Sequence, residues 1–109
     1  MQTYTGPTPA IVKELAENTR SNIANAEQSI GKGNGPTYVI SESGTAGPTA
    51  SGEGRNRQPG YVALAVSTPN GTVTREVETG KTERTENMLA FAQEALKLLR
   101  DAIKGEAKL

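Results

Sequence analysis

Hydroxyls and glycines alternate through residues 41–60, SESGTAGPTASGEGRNRQPG, and two arginines stand among them. Ser41, Ser43, Thr45, Thr49 and Ser51 supply hydroxyls, while Arg55 and Arg57 supply positive charge. Gly44, Gly47, Gly52 and Gly54 allow consecutive backbone N–H groups to turn toward one point. The combination suits a cradle for a phosphate or a carboxylate. A mobile surface loop is the competing reading. The stretch is not a Walker A loop, because no Lys-Ser/Thr follows and no helix is predicted to begin there. It lacks a dinucleotide fingerprint for the same reason. A serine nucleophile needs a base. Glu42 and the lysines are the bases on offer, without a diagnostic spacing, and composition favours reading each hydroxyl as a turn residue bonded to backbone.

Arg84 is the second residue of chemical interest. It lies at the start of the last predicted helix, just after a strand ends, where it can reach an anion held at a helix N-terminus. The helix dipole disfavours a cation there, so stabilising the helix does not explain it. The other reading is a solvated surface arginine.

Composition removes whole classes of chemistry. The 109 residues contain no cysteine and no histidine. A thiol nucleophile, a disulfide framework, a Cys/His zinc site and a Ser-His-Asp triad are therefore excluded from this chain, and nothing calls for a cofactor. Twelve Lys and Arg balance twelve Asp and Glu. No basic footprint points to nucleic acid, and no charge block suggests an interaction tail. No apolar stretch is long enough to span a bilayer. MQTYTGPTP has no signal-peptide core, so no membrane partner is expected and the cytosol is the expected location. Asn70-Gly71-Thr72 fits a glycosylation sequon but reads as a turn.

Positioning the loop and Arg84 falls to a small set of elements. One domain is expected at this length, with a thin stability margin. Aromatics are limited to Tyr4, Tyr38, Tyr61 and Phe91, so the core must come from Val, Ile, Leu and Ala. Thr8-Pro9 marks a helix start, with Thr8 as N-cap and Pro9 in the first turn. Ile11, Val12, Leu15, Ala16, Thr19 and Ile23, continued by Ala26 and Ile30, predict a helix over 9–29. GKGNGP (31–36) stops it. TYVISES (37–43) predicts a short strand covered on both faces. YVALAVSTP (61–69) reads as a central strand buried on both faces. Pro69-Asn70-Gly71 makes a hairpin turn, and the alternation in TVTREVETG (72–80) suits a strand near an edge. The 37–43 and 61–69 strands pair either parallel or antiparallel. Thr82 is the expected N-cap of a last helix over 82–104. Its stripe is Met88, Leu89, Ala92, Ala95, Leu96, Leu99 and Ile103, with Phe91 and Leu98 at the flanks. The order α-β-β-β-α predicts a layered α/β fold.

Three segments together resemble one family. SGTAGPT (43–49) is similar to the T-G-x-A-G-P signature of the CinA C-terminal domain family, the nicotinamide-nucleotide amidohydrolases. QPGYVALAV (58–66) resembles that family's P-x-G-x-V-x-x-A segment, and TGKTERTENMLAFAQEALKLLR (79–100) its G-D-R-x-x-x-R stretch and final helix. GPTPAIVKELAENTR (6–20) is similar to the helix before the signature. The resemblance covers residues 4–104 and implies a three-layer α/β/α fold. It implies hydrolysis of nicotinamide mononucleotide to nicotinic acid mononucleotide and ammonia. It places Ser43, Gly44, Thr45, Ala46, Gly47 and Pro48 at an active-site loop, with Ser43, Thr45 and Arg84 in the catalytic role and Gly44, Ala46, Gly47 and Pro48 binding ligand. Ser43 stands where the family usually has threonine.

The family's first half carries an E-S-x-T-G-G motif and further catalytic residues, including a lysine. No E-S-x-T-G-G occurs in these 109 residues. The resemblance is therefore to the second half of the domain. It implies a truncated relative, catalytically incomplete, that acts by binding or interaction. The alternative is an active amidohydrolase completed by oligomerisation. Open sheet edges and apolar helix faces drive association, so a homo-oligomer, or a partner chain completing the sheet, is expected.

Overall fold

The computed structural model describes residues 6–29, 31 and 36–105. Tyr4, Ile30 and residues 32–35 of the helix-stopping run lie outside the described residues. Five elements follow in the expected order: α1 (Pro9–Ser29), β1 (Val39–Thr45), β2 (Tyr61–Thr68), β3 (Gly71–Glu78) and α2 (Arg84–Lys104), with a single 3-10 turn at Arg55–Arg57. α1 starts as its sequence requires. The Ile11 N–H donates to Thr8 Oγ1 at 3.2 Å, and Pro9 occupies the first helical position, where a missing N–H costs nothing.

The sheet has the order β1-β2-β3 and is antiparallel throughout. This settles the orientation of β1 against β2. β1 is also shifted two residues along the chain from the expected 37–43. It begins at Val39, leaving Thr37 and Tyr38 outside, and runs through Gly44 and Thr45, which pair with Val62 and Tyr61. Local propensity stops a strand at glycine, but an adjacent, fully buried strand supplies the ladder partners that carry it on.

β2 is buried along its whole length. Its odd and even positions build two separate cores. Val62, Leu64 and Val66 pack with Val73, Phe91, Ala95 and Leu98 under α2. Tyr61, Ala63 and Ala65 pack with Val12 and Ala16 under α1. The helices therefore cover opposite faces, giving three layers. β3 alternates as expected, with Val73, Arg75 and Val77 on the α2 side. Arg75 reaches Asp101 of α2 at 3.2 Å, and this bond holds the Asp101 carboxyl below the usual carboxylate range. On the other face the Thr72 hydroxyl donates to Glu17 of α1 at 2.6 Å. The hairpin turn is closed by Thr68, whose Oγ1 accepts the Asn70 N–H and donates to the Gly71 carbonyl.

α2 departs from its expected phase. Asn87, Phe91, Ala95 and Leu98 are the buried residues, whereas Met88, Leu89, Leu96 and Ile103 are 56–63% exposed. A hydrophobic count rotates the helix toward its leucines. The actual rotation is set by Phe91 seated over β1, by buried hydrogen bonds of Asn87 and by the Arg75–Asp101 pair. The helix also begins later than expected. Glu83 rather than Thr82 flanks it, without a side-chain cap, and the Glu83 carbonyl accepts the Asn87 N–H at 3.0 Å. Its C-terminus ends on Gly105 in the left-handed conformation, as the sequence predicts. In α1, similarly, Val12 and Ala16 are buried while Leu15 is 54% exposed, since a three-stranded sheet covers only a narrow stripe.

Ser41 faces the α1 layer with its hydroxyl buried and without a partner among the described residues. An unpaired buried hydroxyl costs about 1–3 kcal/mol. Ser41→Ala is expected to raise stability by about 1 kcal/mol in urea denaturation, with an unchanged m-value.

Candidate functional site

β1 alternation points Glu42 and Gly44 toward the α2 layer and Ser41, Ser43 and Thr45 toward the α1 layer. At Gly44 a Cβ would stand 2.6 Å from the Phe91 ring and 2.7 Å from the Tyr61 carbonyl. Only glycine lets Phe91 settle this close to the strand, so the first glycine of the signature is a packing requirement. Gly47 has a φ of +86°, and a Cβ there would stand 2.7 Å from the Thr82 carbonyl. It brings the loop against the chain entering α2. The Gly47–Pro48 peptide is cis.

Asn87 binds these segments into one unit. It is fully buried. Its Nδ2 donates to the Ala46 carbonyl at 2.8 Å and to the Lys81 carbonyl at 3.0 Å. Its Oδ1 accepts the Thr79 hydroxyl. One amide thus ties the loop after β1, the turn after β3 and the first turn of α2 together. Asn87 was not among the expected site residues. The sequence carried no distinct signal for it: an asparagine near the start of a charged helix reads as solvent-facing, and only the rotation of α2 turns it inward, where a buried amide must have partners.

Two adjoining cavities open where these segments meet. The smaller, about 220 Å³, is lined by Pro7, Gly44, Thr45, Ala46, Gly47, Thr49, Ser51 and Arg84. The larger, about 390 Å³, has an apolar wall of Met88, Phe91 and Ala92, with Glu42 and Arg84 as its charged groups. Arg84, Gly44 and Ala46 border both. Arg84 is exposed at the N-terminus of α2, where its charge and the helix dipole add. Glu42 is exposed overall, but partial desolvation of its carboxyl at the cleft edge pushes it above the usual carboxylate range.

The structure brings Gly44, Thr45, Ala46, Gly47 and Arg84 to one place. Ser43 lines neither cavity, and its strand position faces the α1 layer. Pro48 is exposed and also lines neither. Thr45 borders the smaller cavity, but its hydroxyl donates to the Asn56 carbonyl at 3.1 Å. Its hydroxyl therefore anchors the loop. Arg55 does not join the cradle. It bonds Glu76 at 2.6 Å and Glu78 at 3.2 Å on β3 and lies over the Tyr61 ring. Tyr61 donates to the same Glu76 carboxylate at 2.6 Å, and burial together with that bond pushes its phenol up. The loop is also stitched internally. Ser51 N–H bonds the Arg57 carbonyl at 2.9 Å, and Asn56 Nδ2 bonds the Pro7 carbonyl at 2.7 Å. Composition suggested a mobile middle, but these bonds use the polar groups of residues that lack apolar side chains. Among the described residues, no cluster of three potential metal ligands forms, and no helix is long and apolar enough to cross a membrane.

Removing the Asn87 amide takes its donor from the Ala46 and Lys81 carbonyls and its acceptor from the Thr79 hydroxyl, which keeps only the Lys81 N–H. Asn87→Ala is expected to cost about 3 kcal/mol in denaturant unfolding. Gly44→Ala is expected to cost about 1–3 kcal/mol, because the added methyl displaces Phe91, and Phe91→Leu in that background should recover part of the loss.

The sequence model of the CinA C-terminal domain matches residues 2–103. None of the curated proteins and none of the solved structures compared with the chain matches it. The segments that form the cleft, the 43–49 loop and the start of α2, both lie inside the matched range, and the chain belongs to the CinA C-terminal domain family.

Proposed function

We propose that this CinA-like domain binds a nicotinamide nucleotide in the cleft between the 44–51 loop and α2, and that the residues of this chain do so without hydrolysing it. The observation that carries the reading is the position of Arg84. It borders both cavities and makes no hydrogen bond or ion pair with the described residues. A phosphate in the smaller cavity would meet its guanidinium, the loop glycines and the hydroxyls of Thr49 and Ser51. The apolar wall of the larger cavity suits a flat ring, and Glu42 offers a carboxyl to an amide. Turnover is a different matter. The Thr45 hydroxyl is committed to a backbone carbonyl, Ser43 sits on the opposite face of β1, and E-S-x-T-G-G is absent from the 109 residues. This reading makes the chain a binding or interaction module of NAD metabolism, situated in the cytosol.

A second reading is favoured by one feature. β1 is an edge strand and Glu42 lies on it beside the cleft. A second chain docked along that edge, a copy or another protein, would stand next to the bound amide and make an active amidohydrolase of the assembly.

Calorimetry with nicotinamide mononucleotide, paired with an ammonia-release assay, separates the two. Binding without ammonia is the expected outcome, with Arg84→Ala weakening affinity about tenfold to a hundredfold, as for a lost charge-assisted hydrogen bond. Ammonia release abolished by Arg84→Ala supports the second reading. Absence of any binding overturns both and leaves the family relationship as ancestry alone. The pH dependence has a defined sign. Glu42→Gln keeps an oxygen that accepts from the amide and removes the charge that repels the phosphate, so it is expected to tighten binding at neutral pH. The advantage should vanish as the pH falls through the raised Glu42 pKa and the wild-type carboxyl becomes neutral.

A further inference from the structure

Leu89, Leu96 and Ile103 are spaced by seven and are 62%, 63% and 58% exposed. Ala92, also exposed, and the half-buried Leu99 fill the intervening positions. This is the three-four alternation of a coiled-coil seam, on a helix whose other face is already committed to the sheet. Leu99 also touches the core beneath α2, whereas Leu89, Leu96 and Ile103 stay exposed with the helix docked on the sheet. We propose that this face of α2 is a dimer interface, on which α2 of a second copy of this chain lies antiparallel about a two-fold axis.

Charge placement selects both the partner and its direction. The residues flanking the seam on one side are Glu86, Gln93 and Arg100, again spaced by seven. Glu86 and Arg100 are 56% and 59% exposed at their side chains. In an antiparallel pair, Glu86 meets Arg100 of the second copy, Arg100 meets its Glu86, and Gln93 meets Gln93. Inside the seam, Leu89 packs on Leu99 and Leu96 on Ala92 of the second copy. A parallel pair has no such match. The other flank consists of Met88, Ala95 and Ala102, which carry no charge. The pattern is self-complementary, as a two-fold interface must be. Present bonds do not block it. Glu86 has only a long contact with Lys81 at 3.9 Å. Arg100 shares Asp101 with Arg75, which can retain that carboxylate. A shallow groove lined by Gln93, Leu96, Lys97 and Arg100 lies alongside the seam. Because Ala92 belongs to the seam and also to the cleft wall, the second helix borders the mouth of the larger cavity. The pairing itself stands on the seam and its flanking charges and does not rest on nucleotide binding.

Sedimentation equilibrium on the full chain tests it at roughly 100 µM protomer, since a dimer's population follows protomer concentration. A dimer is expected. Leu96→Glu should raise its dissociation constant about a hundredfold or more, by placing two charges in the seam, with unchanged far-UV circular dichroism. Glu86→Lys and Arg100→Glu should each weaken the dimer about tenfold, since each faces like charge twice, and the double exchange should restore it. A wild-type monomer, a dimer indifferent to Leu96→Glu, or charge exchanges that fail to compensate would each overturn the proposal. Arg84→Ala, which removes the cleft cation, is expected to leave the dimer intact, so failure of nucleotide binding and failure of pairing are read separately.

Discussion

β2 is buried from Tyr61 to Thr68, and a strand buried on both faces needs a layer above and a layer below. Its alternation decides what each layer contains. The larger side chains, Val62, Leu64 and Val66, face α2. The alanines at 63 and 65 face α1 and let that helix approach closely through Val12 and Ala16. The same strand supplies hydrogen bonds to β1 on one side and β3 on the other. Everything that positions the cleft hangs from this ladder, including the extension of β1 through Gly44 and Thr45.

From that ladder the cleft is reached by two short steps. Phe91 belongs to the α2 core and presses on Gly44, so the depth of the core fixes the height of α2 over β1. Asn87 lies one turn earlier and holds the Ala46 and Lys81 carbonyls. Arg84 lies one turn earlier still, at the cleft. Three residues on one helical face thus run from apolar packing through a buried amide to an exposed cation. The geometry of the cation is inherited from the core, and the loop follows it through Ala46.

The glycine-rich loop solves a related problem by polar means. Between Ala46 and Gly60 it has no large apolar side chain, so it cannot be held by burial. It is held instead by hydroxyl and amide bonds at Thr45, Ser51 and Asn56. Arg55 fastens its 3-10 turn to the outer strand. These ion pairs are exposed, and single exposed pairs contribute little. The restraint comes from their number and from the shared Glu76 carboxylate. What chemistry the loop retains is concentrated at its beginning, next to Arg84.

The fold class, the element order, the central place of β2 and the ends of α1 were legible in the sequence, because each rests on local signals. Thr8-Pro9 opens a helix, Pro69-Asn70 turns a hairpin, and an unbroken apolar run buries both faces. The signature segment and Arg84 were legible as well. The direction of β1 was not, since a long loop permits either pairing and only the ladder with β2 selects one. Nor was the phase of α2. By itself the sequence determined which elements form and which residue types stand in the signature loop and at the start of α2. Tertiary structure alone decided which of them face the cleft, because strand register and helix rotation are set by contacts between segments distant in the chain. Those contacts bury Asn87, leave Leu89 and Leu96 in solvent, and turn Ser43 away from Arg84.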